Sequence, residues 1–171
     1  AADLIAQAEH DKFAQSILLC NDKKTILEVN KKLKIQLKTL PKKHIALSSL
    51  KRFGCSLFVR NLKNFSKVIN EIAPEHLQID IKKPEKIIKE IKNAGSIFIG
   101  KYSPEAMGDY LAGPNHVLPT SGSAKFSSGL SVYDFLKRHS FIKISNDFSN
   151  ISILTKVTGR KLPRKAKIFF L

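Results

Sequence analysis

The sequence predicts an α/β fold, a layered and largely parallel sheet with flanking helices, on three observations. Short β-rich apolar runs alternate with amphipathic stretches of helical period. Pro and Gly stand at the joints between them. Hydrophobic residues make up 43% of the 171 residues, enough for a real core, and the length suits one domain with at most a small appendage.

Each element has its own signal. Residues 1–10 (AADLIAQAEH) read as the end of a helix. SILLC (16–20) reads as a buried strand. Over 22–40, Ile26, Val29, Leu33 and Leu37 recur at steps of three and four with lysines between them. That spacing predicts an amphipathic helix, with Asp22 as N-cap and Pro41 just past its end. CSLFV (55–59) is a second strand, and 61–73 a second helix opened by Asn61 and closed before Pro74. HLQIDI (76–81) alternates as a half-buried strand does. Pro84 opens a helix to about Asn93, Gly95 ends it, and SIFIG (96–100) is a fourth strand.

Residues 101–130 differ in character. They hold Pro104, Gly108, Gly113, Pro114, Pro119, Gly122 and Gly129, interleaved with Tyr102, Met107, Tyr110, Leu111, Val117 and Leu118. A loop this long in a compact domain is functional or disordered, and the interleaved apolar residues point to order and function. Beyond about 130 the alternation fades. SVYDFLKRH reads as helical and FIKIS (141–145) as extended, and from Lys156 onward the tail is basic without a single acid. The boundaries drawn are therefore 1–130 for the main α/β part and 131–171 for a small C-terminal segment.

Thirty basic against 14 acidic residues give a net charge of +16. Such an excess can mark a nucleic-acid or other polyanion partner. Here the bases are mostly Lys and spread along the chain. Aromatics are 8%, Trp is absent, and no run alternates bases with aromatics as single-strand binding needs. The charge is read as compositional. No apolar run approaches the ~20 residues needed to span a membrane. The first residues lack the basic leader of a signal peptide. Cys20 and Cys55 sit far apart inside apolar runs and read as buried free thiols, outside any disulfide framework. A cytoplasmic location is the expectation. The chain starts without Met, as a fragment or one piece of a larger architecture would.

Three groups of residues could carry chemistry. Gln7 and His10 are three apart on a helix, so both side chains share a face. That is half of a metal site or simply a surface pair. Glu75 and His76 follow Pro74 between a helix and a strand. A carboxylate beside an imidazole at the end of an element suits general acid–base work, although chance placement gives the same pattern. Asp109 and His116 lie in GDYLAGPNHVLP, where glycines allow close backbone approach. They supply an oxygen and a nitrogen ligand compatible with zinc, or are satisfied polar groups of a structured loop. His44 and His139, each beside basic residues, read as solvated. No glycine pattern matches a phosphate-binding loop.

Together these segments resemble histidinol dehydrogenase. The resemblance rests on DLIAQAEHD (3–11), EIAPEHLQI (71–79), NAGSIFIG (93–100) and the 36 residues SPEAMGDYLAGPNHVLPTSGSAKFSSGLSVYDFLKR (103–138). It runs from residue 1 to about 145, more weakly to the end, and corresponds to the later part of a family member. It implies an incomplete Rossmann-like layered sheet with a small C-terminal appendage. It also implies NAD-dependent oxidation of L-histidinol to L-histidine through an aldehyde, in histidine biosynthesis, by a zinc-containing homodimer. Carried over residue by residue, Gln7, His10 and Asp109 fall on zinc-ligand positions. Glu75 and His76 fall on the acid–base pair, with His76 taking the alcohol proton and Glu75 activating water. Gln7, His10, His76, Asp109 and His116 face substrate. No residue is assigned to NAD.

The tail departs from the family pattern. The family's last zinc ligand, a His, and a substrate-binding Glu belong near its C-terminus. TGRKLPRKAKIFFL (158–171) contains neither, and Arg160 and Lys165 stand roughly in their places. A protonated cation does not ligate zinc. The first half of the family fold is also missing. The expectation is an enzyme that is inactive alone or needs a complementing N-terminal chain. The alternatives are a non-catalytic remnant or a basic polyanion-binding module.

Overall fold

The computed structural model of the chain describes residues 1–141. The expected strand at 141–145, except its first residue, and the altered positions Arg160 and Lys165 lie outside the described residues. The chain divides into two compact units, Ala1–Ser131 and Val132–Leu171. The first unit is mixed α/β. Its elements are α1 (Ala2–His10), β1 (Ile17–Cys20), α2 (Lys23–Gln36), α3 (Lys43–Phe53), β2 (Cys55–Phe58), α4 (Lys63–Ile72), β3 (His76–Ile79), α5 (Glu85–Ile88), β4 (Ser96–Ile99) and α6 (Glu105–Tyr110). The four strands expected from the sequence are all present. They pair in parallel as two separate two-stranded sheets, β1 with β2 and β3 with β4. In the second unit, Val132–Phe135 forms a short 3-10 helix.

Around the first sheet the core is built from Ile5, Ala8, Leu37 and Ala46, with Leu33, Leu40, Leu47 and Leu50 packed against it. Ala8 and Ala46 are fully buried, and these small side chains let α1 and α3 approach closely. The Ser49 hydroxyl donates to the Ala14 carbonyl at 2.7 Å, and that of Ser16 to Leu4 at 3.0 Å. These bonds tie the segment between α1 and β1 to both helices.

The helices differ from expectation for local reasons. α2 stops at Gln36 rather than 40. Lys38 and Thr39 bond back three residues, to Ile35 and Gln36, so the last turn tightens. α3 was not anticipated. α5 is a single turn instead of running to Asn93, because Asn70 of α4 captures the backbone that would continue it. Its Oδ1 accepts the N–H groups of Lys92 (2.7 Å) and Asn93 (3.1 Å), and its Nδ2 donates to the Glu90 carbonyl (2.9 Å). One thiol reading is corrected as well. Cys20 and Cys55 are free, but Cys55 is exposed and Cys20 only half-buried, since a two-stranded sheet leaves much of its surface uncovered. Among the described residues no helix is long and apolar enough to cross a membrane.

Candidate functional site

The β3–β4 register places the site. Helix α4 ends with Ala73 in the left-handed region (φ 51°), and its N–H bonds back to Ile69. Pro74 follows, and the chain enters β3 at His76. Gly95 N–H donates to the Pro74 carbonyl at 2.9 Å and Ser96 N–H to the Glu75 carbonyl at 2.8 Å, which aligns His76 with Ser96. A Cβ on Gly95 would stand 2.5 Å from the Glu75 carbonyl oxygen, so only glycine allows the two backbones this approach. The backbone of the Glu75–His76 pair is thus fixed on both sides.

The segment after β4 brings its own side chains to the same place. α6 begins after Pro104 and carries Glu105 and Asp109. Gly113, at φ 97°, reverses the chain. Asn115 then locks the turn: its Oδ1 accepts Val117 N–H at 2.8 Å, its Nδ2 donates to the Leu130 carbonyl, and Leu130 N–H returns to Val117 at 2.9 Å. His116 is thereby directed at α6. Its Nδ1 bonds Asp109 Oδ1 at 2.8 Å. That bond, with the nearby charges of Asp109, Glu75 and Glu105, raises the His116 pKa above the usual histidine value.

His76, Asp109 and His116 converge, with ligand atoms within 4.8 Å of one another. The His76 and His116 rings stack at 5.8 Å. The ring of Phe98 also lies near His76, at 6.1 Å. Phe98 also fills the space over Gly108, where a Cβ would come within 2.7 Å of its ring. His76 is largely buried, and neither of its ring nitrogens makes a hydrogen bond. Its Nε2 lies 3.4 Å from Glu105 Oε1, a charge contact longer than an aligned hydrogen bond.

Two imidazoles and a carboxylate are a donor set that suits zinc. Ring nitrogens that make no hydrogen bond leave the largely buried His76 able to meet a ligand. Gln7 and His10 lie on α1, Gln7 half-buried and His10 exposed. His10 does not join the cluster of His76, Asp109 and His116. The structure therefore brings together the residues of β3 and of the α6 loop. His44 and His139 are exposed. Glu105 and Phe98 were missed in the sequence. Only the parallel pairing and the turn into α6 bring them to His76.

The comparisons with known proteins point to one family. The family model described as Histidinol dehydrogenase matches residues 1–156. Histidinol dehydrogenase of Caldanaerobacter subterraneus is 51% identical over 147 residues, covering 86% of this chain and 34% of that protein. That of Bacillus cereus is 52% identical over the same shares. That of Dechloromonas aromatica is 46% identical over 172 residues, 98% of this chain and 39% of its own length. The crystal structure of histidinol dehydrogenase from Elizabethkingia anophelis superimposes with a TM-score of 0.80 at 34% identity, over 92% of this chain and 37% of that one. The chain spans about a third of the length of these relatives. A match over most of the chain, falling on the same PEH and GDYLAGPNH segments that build the cluster, leaves one assignment: the chain belongs to the histidinol dehydrogenase family.

Proposed function

We propose that the chain is the later part of an NAD-dependent dehydrogenase that oxidises L-histidinol to L-histidine through the aldehyde. Residues 1–130 are the second half of its catalytic α/β domain, and 131–171 a small C-terminal segment. The observation that carries this reading is the convergence of largely buried His76, whose ring nitrogens make no hydrogen bond, with Asp109 and His116. His76 would accept the alcohol proton. Glu75, beside it in sequence, would activate the water that attacks the aldehyde. His116, oriented by Asp109, would line the substrate pocket. Gln7, His10 and Asp109 would hold zinc, which when bound would fix the amine and imidazole of the substrate. Hydride transfer belongs to NAD, and no residue of this chain is assigned to it. Turnover requires a complementing N-terminal chain and, as in the family, a homodimer. Such a biosynthetic enzyme would work in the cytoplasm.

The test is zinc stoichiometry and affinity of the purified chain, measured by elemental analysis and calorimetry, with His10→Ala as control. The expected result is stoichiometric zinc that the variant loses. Glu75→Gln and His76→Asn should keep the metal and lower turnover of the complemented enzyme by about 10²–10⁴-fold, the usual weight of a general acid–base group. Zinc that survives His10→Ala, or leaves with His76, contradicts this split of roles. A second reading, a remnant without catalysis, is favoured by the tail, where no His or Glu occupies 158–171. Absence of specific zinc would select it.

A further inference from the structure

Glu105 has no part in the roles given above, yet its carboxylate is the one paired with the His76 ring among the described residues, with Oε1 3.4 Å from Nε2. The surroundings of His76 show why this contact matters. The rings of Phe98 and His116 both stand close to its ring, with centroids 6.1 and 5.8 Å away. Gly108, which has no Cβ, lets Phe98 reach its place. The side chain of His76 is 13% exposed, and both of its nitrogens are buried without a hydrogen bond. A buried N–H without an acceptor is unfavourable, and the neutral ring carries one N–H whichever tautomer it adopts. Glu105 is in the first turn of α6, and its side chain is 43% exposed. Its far end can turn toward the ring with no change in the backbone. A shift of a few tenths of an ångström brings the contact into the range of about 2.7–3.2 Å that an N–H···O bond prefers.

We propose that Glu105 is a positioning residue for His76. Its carboxylate accepts the Nε2–H of His76 and so fixes the tautomer, leaving the lone pair on Nδ1. When His76 takes up a proton, the same carboxylate balances the charge, as carboxylates do behind functional histidines. The consequence for turnover rests on the acid–base reading of His76. The contact itself does not.

The experiment is nuclear magnetic resonance of the whole chain labelled with 15N in its histidine rings, at a pH where the imidazoles are neutral. The expected result is a ring N–H resonance downfield of the backbone amides, slow to exchange with water, correlated with Nε2, and absent from His76→Gln. It should disappear in Glu105→Ala. In Glu105→Gln, which keeps an acceptor and loses the charge, it should return at higher field. The backbone spectrum and melting temperature of each Glu105 variant, unchanged from the parent, show that the fold is intact. No such resonance in the parent chain, or one that survives Glu105→Ala, overturns the proposal. The acid–base reading is judged separately, by turnover of His76→Asn in the complemented enzyme, so the two can fail independently.

Discussion

At Asp22 the sequence alone was enough to identify a structural role. Its carboxylate accepts the N–H groups of Lys24 (3.1 Å) and Thr25 (3.0 Å) and the Thr25 hydroxyl (2.6 Å), capping α2. The bond from the Thr25 hydroxyl, then those from the two backbone groups, hold its pKa below the ordinary carboxylate value. A pKa depressed on folding gives stability that is present above the unfolded value and is lost as pH falls through the folded one. Asp22→Ala should therefore lower the melting temperature at pH 7 and narrow the difference between pH 7 and pH 3. Asp22→Asn should keep most of the cap and narrow the pH difference as Asp22→Ala does. Thermal melts of the three proteins at both values check this. Asn70 was not legible in the same way, because its partners lie twenty or more residues away, in a turn that the sequence reads as helix. Asn70→Ala removes three hydrogen bonds to the 90–93 backbone. The expected cost is about 1–3 kcal/mol in urea unfolding. A variant as stable as the parent would mean that water replaces Asn70 fully.

At the scale of elements, the alternating pattern gave the four strands and their parallel class, because apolar runs bounded by Pro and Gly carry that information locally. It did not give α3 or α6. In α3 the buried positions are Ala46 and Ser49, which do not stand out as an apolar stripe. α6 is short and lies in a segment whose glycines and prolines read as loop. The Glu75/His76 and Asp109/His116 groups were each visible, since their members are close in sequence. Their meeting was not, because it depends on the register of β3 against β4. Gly95 controls that register. In Gly95→Ala the new methyl would meet the Glu75 carbonyl oxygen at 2.5 Å and Pro119 Cδ at 3.2 Å. Neither the strand backbone nor the proline ring can turn aside, so the strands must separate. The expected destabilisation is about 1–3 kcal/mol, read by urea unfolding. Stability equal to that of the parent would show that the pairing tolerates a side chain there.

For the whole molecule the deciding feature is exposed apolar surface. Parallel sheets are ordinarily covered on both faces, yet Phe58 of β2 and Ile97 and Ile99 of β4 are 37–44% exposed. Around the α6 loop, Tyr102, Tyr110, Leu111 and Phe126 are exposed by three quarters or more. Surface of this kind marks a place where more protein belongs, and the chain spans about a third of its relatives. The proposed complementing N-terminal chain would supply the cover and the NAD contacts. It can be tested with the first part of a relative such as the Bacillus cereus protein, expressed as a separate chain. If the proposal is right, the two chains copurify, the mixture binds less of a hydrophobic dye than this chain alone, and histidinol-dependent reduction of NAD appears. A complex that forms but does not turn over would place the defect in the altered tail. Introducing Glu at Arg160 and His at Lys165 should then restore activity. If the chains do not associate at all, complementation is ruled out and the remnant reading is left, with His76, Asp109 and His116 as relics held in place by the fold.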